Sequence, residues 1–269
     1  VLVRLLGTGS ADGWPNPWCT CTSCTDARSR GELRRPTSAL VDGALLLDLA
    51  PGPPPDGILL SGVRTVLVTH DHPDHCAPLA LLARQWVRRD DPLTVVGPAS
   101  VLEALRPWLG PGHPVELVEV APGQRLHVGG YDVRTVAAAH DVPTVLYDVT
   151  GPAGDRLLYA TDTGPLPDAA VEAVRAAAFD LVLLEETFGD RTDHGTGHLD
   201  LATFPVQLDR LRAIGAVGGH TDVVAVHLGH HNPPAQQLAE RLARHGARLV
   251  PDGAVVVVGA GRAARAAGP

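Results

Sequence analysis

Short apolar runs broken by Gly, Pro and Asp recur along the chain, and most are continuous rather than alternating. Continuous runs of this kind mark strands covered on both faces. The pattern predicts strands over 1–7, 37–41, 44–50 and 65–70, with VDG as a hairpin turn between the second and third. Further strands are expected over 93–97, 115–120, 131–139, 145–150, 156–162, 180–186, 222–228 and 254–260. Helical patterns follow Pro78 and occupy 167–178, 199–214 and 234–246, with Pro205 as a bend or boundary. PGPPPDG at 51–57 is a loop, and GRAARAAGP at 261–269 is a frayed terminus. Two strand-rich stretches with helices concentrated late in each fit two sheets packed face to face beneath helical layers.

A chain of 269 residues with 45% hydrophobic content can bury a large core. No apolar run reaches membrane length, and the opening residues lack a secretory signal, so the expected location is cytoplasmic, without a membrane partner. All 22 basic residues are arginine and the net charge is -8, which disfavours nucleic acid as a partner. Of the 4 cysteines, Cys19, Cys21 and Cys24 crowd into CTCTSC, a spacing that suits metal ligands in a reducing compartment better than disulfides. A homodimer is the base-rate expectation for assembly.

THDHPDHC, at 69–76, follows the TVLV strand directly. A strand end fixes where the chain enters and the turn can swing side chains into one concave site, making His70, His72, Asp74 and His75 candidate ligands. Imidazoles and carboxylates suit Zn, Mn or Fe, and a second aspartate can bridge two ions. His140, Asp162, His227, His230 and His231 also lie at or just beyond the ends of apolar strands. Each alone reads as a structural histidine or a cap; as a set they converge. LLGTGS at 5–10 is a tight turn and not a phosphate loop, because the required lysine is missing.

HxHxDH at 70–75, followed by His140, Asp162 and His227, resembles the metallo-β-lactamase fold signature. That resemblance implies a four-layer αβ/βα sandwich with a metal site at one edge, formed here by a single domain over 1–269. The early CxCxxC, the GHL at 197–199 and HxxH at 227–230 resemble the phosphodiesterase of bacterial phosphonate breakdown. This second likeness implies a structural zinc on Cys19, Cys21, Cys24 and His230, closing a loop at 14–30. It also implies one catalytic ion on His70, His72 and His140, another on Asp74, His75 and His227, and Asp162 between them, the metals being Mn or Zn with Fe as a further option. The expected chemistry is attack on a small phosphodiester, cyclic ones included, by a hydroxide held between the two ions, with Asp74 beside it and His198 at the leaving oxygen. His194 is an alternate or substrate contact, Glu185 or Glu186 an imidazole orienter, Asp71 an outer hydrogen-bond group, and Cys76 a buried thiol.

Three other functions compete. GWPNPWCTCTSCTDARSR and the NPP after His231 also resemble the pyrroloquinoline quinone biosynthesis protein, which implies iron-dependent oxidation. The family's tRNA-processing members imply RNA hydrolysis, and a noncatalytic metal-binding protein is the alternative of a different class.

Overall fold

The computed structural model describes residues 1–259 apart from 88, 89, 111 and 113, so the tail at 261–269 lies outside the described residues. The first half runs β1 (Leu2–Gly7), α1 (Thr22–Arg30), β2 (Ser38–Val41), β3 (Leu45–Leu47), β4 (Thr65–Leu67), α2 (Pro78–Trp86), β5 (Leu93–Gly97), α3 (Ala99–Leu105) and β6 (Val115–Glu119). The second half runs β7 (Arg125–Val128), β8 (Tyr131–Ala137), β9 (Val145–Thr150), β10 (Arg156–Ala160), α4 (Asp168–Ala173), β11 (Leu181–Glu185), α5 (Thr203–Ala213), β12 (Asp222–Val226), α6 (Ala235–Ala243), β13 (Ala247–Arg248) and β14 (Val255–Val257). They build two 7-stranded mixed sheets, ordered β14-β1-β2-β3-β4-β5-β6 and β13-β12-β11-β10-β9-β8-β7.

Three apolar cores give the layering. Val3, Leu47, Val96, Tyr147, Tyr159 and Leu183 fill the space between the sheets. The outer face of the first sheet packs Val66 and Val95 against Leu81 of α2 and Val101 and Leu105 of α3. The outer face of the second packs Leu158 and Val182 against Phe204 and Leu208 of α5 and Leu238 of α6. Along β11, Leu181 and Leu183 face the inner core while Val182 and Leu184 face the helices, which is why the run is apolar throughout. The result is the αβ/βα sandwich expected from the sequence.

Several elements differ from the sequence pattern. The strand expected over 44–50 stops at Leu47 because Asp48 turns into the left-handed region at φ 60. β7 escapes the pattern as an exposed edge strand with only Leu126 and Val128 to mark it. α1, TSCTDARSR, has almost no apolar stripe; the Cys21 thiolate position accepts the Cys24 amide at 3.4 Å and left-handed Gly31 ends the helix. α5 begins at Thr203, not 199: Asp200 accepts the Ala202 and Thr203 amides at 2.9 and 2.7 Å, and Pro205 sits in the first turn, where its missing N–H costs nothing. Among the described residues no helix is long and apolar enough to cross a membrane.

Candidate metal centre

β3 and β4 run parallel, as do β10, β11 and β12, and β9 runs antiparallel to both β8 and β10. The carboxyl ends of each set therefore point the same way, and Asp48, His70, His140, Asp162, Glu185 and His227 all lie at or just beyond them. Asp48, Asp162 and His227 are themselves left-handed, at φ 60, 54 and 56. Side chains rarely tolerate that backbone, and it is found where a site demands a particular direction.

Overlapping groups of donors result, among them Asp162, His198 and His227. One ligand atom from each of His70, His72, His140 and Asp162 lies within 4.8 Å of the others, and so does one from each of Asp74, His75 and His227. Asp162 joins the groups: Oδ1 lies 3.9 Å from His70 Nε2 and 3.8 Å from His140 Nε2, whereas Oδ2 lies 3.0 Å from His75 Nε2 and 3.2 Å from His227 Nε2. Asp74 Oδ2 completes the second group at 3.0 Å from His75 Nε2 and 3.4 Å from His227 Nε2.

The far side of each ring decides which nitrogen carries its proton. His75 Nδ1 meets the Asp48 carboxylate at 2.7 Å, and His140 Nδ1 meets the Gly197 carbonyl at 3.0 Å; both must donate. Thr69 spends its hydroxyl proton on Asp48 at 3.0 Å, so the 2.9 Å contact with His70 Nδ1 takes its proton from the ring. Thr187 likewise donates to Glu185 at 2.6 Å and accepts from His227 Nδ1 at 2.9 Å. In all four rings this bond leaves Nε2 as a lone pair facing Asp162, the orientation a metal-binding imidazole needs. Among the described residues the buried Nε2 atoms of His70 and His75 have no hydrogen-bond partner, which fits a cation between the rings.

Electrostatics point the same way. Burial holds His70 well below the ordinary histidine pKa and lowers His140 also, so both favour the neutral form that binds metal. Burial opposes charge on His75, yet Asp162, Asp48 and Asp74 raise its pKa well above the usual value: three carboxylates demand positive charge at this point. Burial also penalises the Asp162 and Asp74 carboxylates, but the surrounding histidines outweigh it and hold both ionised.

His198 stands at the open side, stacked on His227 at 5.4 Å between centroids and 6° between planes. Its Nδ1 lies 3.0 Å from Glu185 Oε1. Burial works against its charge, but Glu185 and more distant aspartates push its pKa up to about 9. Glu185 is fully buried and also accepts the Leu199 amide at 3.0 Å, so one carboxylate fixes His198 directly and His227 through Thr187. Gly164 lets the 194–198 segment lie this close, since a Cβ there would stand 1.7 Å from the Thr196 carbonyl oxygen. His194 turns away from this group: it pairs with Asp200 at 3.1 Å and stacks on Phe188 at 4.2 Å.

A separate cluster gathers Cys19, Cys21, Cys24 and His230, again with donor atoms within 4.8 Å of one another. His230 Nε2 faces Asp12 at 3.2 Å, which leaves the buried Nδ1 as the ring nitrogen available to a metal on the cysteine side. Burial pushes the Cys24 thiol up to about 12; for Cys21 burial acts the same way but hydrogen bonds from Cys24 and His230 bring it to about 7. The remaining sequence candidates are peripheral. Cys76 is buried in the first outer core, with burial raising its pKa to about 12. Asp71 accepts from Ser100 at 3.2 Å, and His231 lies 3.3 Å from Arg191. Glu186 accepts the Gly189 amide at 3.0 Å and, raised by burial to about 8, orients no ligand ring. Asp48 is the residue sequence reasoning overlooked, although a carboxylate inside LLLDLA is a signal: so apolar a run buries it, and a buried carboxylate needs partners.

A two-sheet sandwich with imidazoles and carboxylates gathered at one strand-end rim defines a metal-dependent hydrolase of the metallo-β-lactamase class. Residues 37–249 match the Beta-lactamase superfamily domain, and the chain belongs to that superfamily. It is 31% identical over 209 residues to Ribonuclease Z of Mycobacterium sp. (strain KMS), covering 67% of each protein. It is 26% identical over 259 residues to the Octanoyltransferase of Porphyromonas gingivalis, covering 90% of this chain but 48% of that protein, so it spans about half of that relative's length. Among solved structures, Zn(2+)-bound PqqB from Methylobacterium extorquens superposes with a TM-score of 0.74 at 20% identity, covering 96% of this chain and 100% of that one. A diphosphatase from the PhnP family gives 0.72 at 19% identity, covering 95% and 97%. The ribonuclease relatives overturn the expectation, drawn from a net charge of -8, that nucleic acid is disfavoured. Net charge sums the whole surface, whereas phosphate is met by the local field of one rim.

Proposed function

We propose that the chain is a phosphodiesterase using two divalent cations, one held by His70, His72, His140 and Asp162 and the other by Asp74, His75, His227 and the second oxygen of Asp162. The observation that carries this reading is the set of four imidazoles whose Nδ1 atoms are committed elsewhere, leaving every Nε2 directed at one carboxylate. When bound, such a pair supplies Lewis acidity toward phosphoryl oxygens and acidifies water at neutral pH. The chain's own residues supply the rest. Asp162 holds the two positions in register. Glu185 holds the Nδ1 proton of His198 and favours the doubly protonated ring, so that Nε2–H can hydrogen-bond the departing oxygen or give it that proton, leaving a neutral imidazole.

Zinc on Cys19, Cys21, Cys24 and His230 is the third part of the proposal. Three thiolates and an imidazole close a tetrahedral shell with no position for substrate, so its role is to pin the amino-terminal loop beside the rim. A reducing compartment such as the cytoplasm keeps these thiols available as ligands.

A small, cyclic or linear phosphodiester is the first substrate class, and RNA is the second, on the strength of the ribonuclease Z relatives. The test is turnover of bis(p-nitrophenyl) phosphate, a panel of cyclic phosphodiesters and a tRNA precursor with Mn or Zn. Cation-dependent cleavage that disappears in His72→Ala and Asp162→Ala but persists in His127→Ala, a surface histidine, supports the reading. No cleavage of any phosphodiester, together with bound iron and oxygen consumption, overturns it in favour of oxidation. Full cation occupancy with neither activity overturns it in favour of noncatalytic metal binding.

A further inference from the structure

Asp141 follows His140 directly, and its carboxylate folds back over the rim. Oδ1 lies 3.1 Å from His140 Nε2 and 3.8 Å from His72 Nε2. The side chain is 71% exposed, so packing does not force it there. His140 gives its Nδ1 proton to the Gly197 carbonyl, which leaves Nε2 as a lone pair. A carboxylate oxygen 3.1 Å from a nitrogen lone pair is repelled unless positive charge lies between or beside them. The same nitrogen also faces His72 Nδ1 at 3.3 Å and Asp162 Oδ1 at 3.8 Å, so two carboxylates and two imidazoles crowd one point of the rim.

We infer that Asp141 is an additional oxygen donor to the cation held by His70, His72, His140 and Asp162. The inference rests on the two-cation reading and deepens it. Three imidazoles and two carboxylates exceed the four donors that zinc prefers in closed sites, and they suit Mn or Fe(II), which accept more ligands and favour oxygen. Asp141 thereby sets the metal preference of one position. Because it is solvent-facing, it is also the ligand most easily displaced when a phosphoryl oxygen arrives.

The test is equilibrium binding of Mn and of Zn to metal-free protein, by competition with a chelating dye, in the unsubstituted chain and in Asp141→Asn. Zinc is counted after the cysteine cluster has filled, and the bound Mn is examined by electron paramagnetic resonance. The expected result is a loss of about tenfold in Mn affinity at one of two sites, a change in zinc affinity below about threefold, and an altered Mn spectrum. Mn affinity and spectrum unchanged in Asp141→Asn, or equal losses for both metals, would overturn the inference while leaving the two-cation reading intact. Failure of the unsubstituted chain to take up Mn or Zn at the histidine site would overturn both.

Discussion

At the residue scale, the site is decided less by the ligands than by what stands behind them. Asp48 receives His75 Nδ1, the Thr69 amide and the Tyr159 hydroxyl, at 2.7, 2.7 and 2.9 Å, and Glu185 plays the same part for His198 and, through Thr187, for His227. Glu185→Gln keeps the shape but removes the charge that favours a protonated His198. We expect kcat to fall about 100-fold with KM and cation content little changed, read by steady-state kinetics and elemental analysis. A matching loss of bound metal would instead place Glu185 in metal retention. Asp48→Asn should weaken cation affinity about 10-fold or more, measured by dye competition, because the tautomer of His75 is no longer fixed. The histidines were legible in the sequence because HxHxDH concentrates groups that burial cannot tolerate without partners. Of their carboxylate supports, Glu185 was legible only as one of two adjacent candidates, since LEE does not say which of the pair faces the rings, and Asp48 was missed because strand order alone brings it under His75.

Strand termini and one polar helix carry the argument at the element scale. β3, β10 and β12 each give way to a left-handed residue, Asp48, Asp162 and His227, so the backbone itself turns the functional side chains over the rim. The strands were readable from continuous apolar runs, but this turn was not, since no glycine announces it. α1 was hidden for the opposite reason: it has almost no apolar stripe, and what marks it is the Cys21 cap and Arg28, which donates to the Cys19 carbonyl at 2.7 Å. Cys21→Ser should therefore lose one zinc per chain and lower Tm by at least about 4 °C, read by elemental analysis and calorimetry. Unchanged zinc content and melting would reject the structural role of the cluster.

For the whole molecule, two sheets share one core and each carries a second core beneath its own helices. Phe204 is fully buried between α5 and the second sheet, and Phe204→Ala should cost about 3–5 kcal/mol in denaturant unfolding without changing which metals bind. This layering was legible from the order of strands and helices. Partner choice was not, because composition gives one net charge while recognition depends on the field at a single rim; the ribonuclease relatives corrected that point. What unites the scales is that distant strand ends bring two groups of imidazole and carboxylate donors to either side of Asp162, where we propose two cations bind. An anomalous difference map from crystals of the Mn-loaded protein measures this directly. The account predicts two peaks flanking the Asp162 carboxylate, about 3.5–4 Å apart. A single peak there, or peaks that leave Asp162 unliganded, would contradict it.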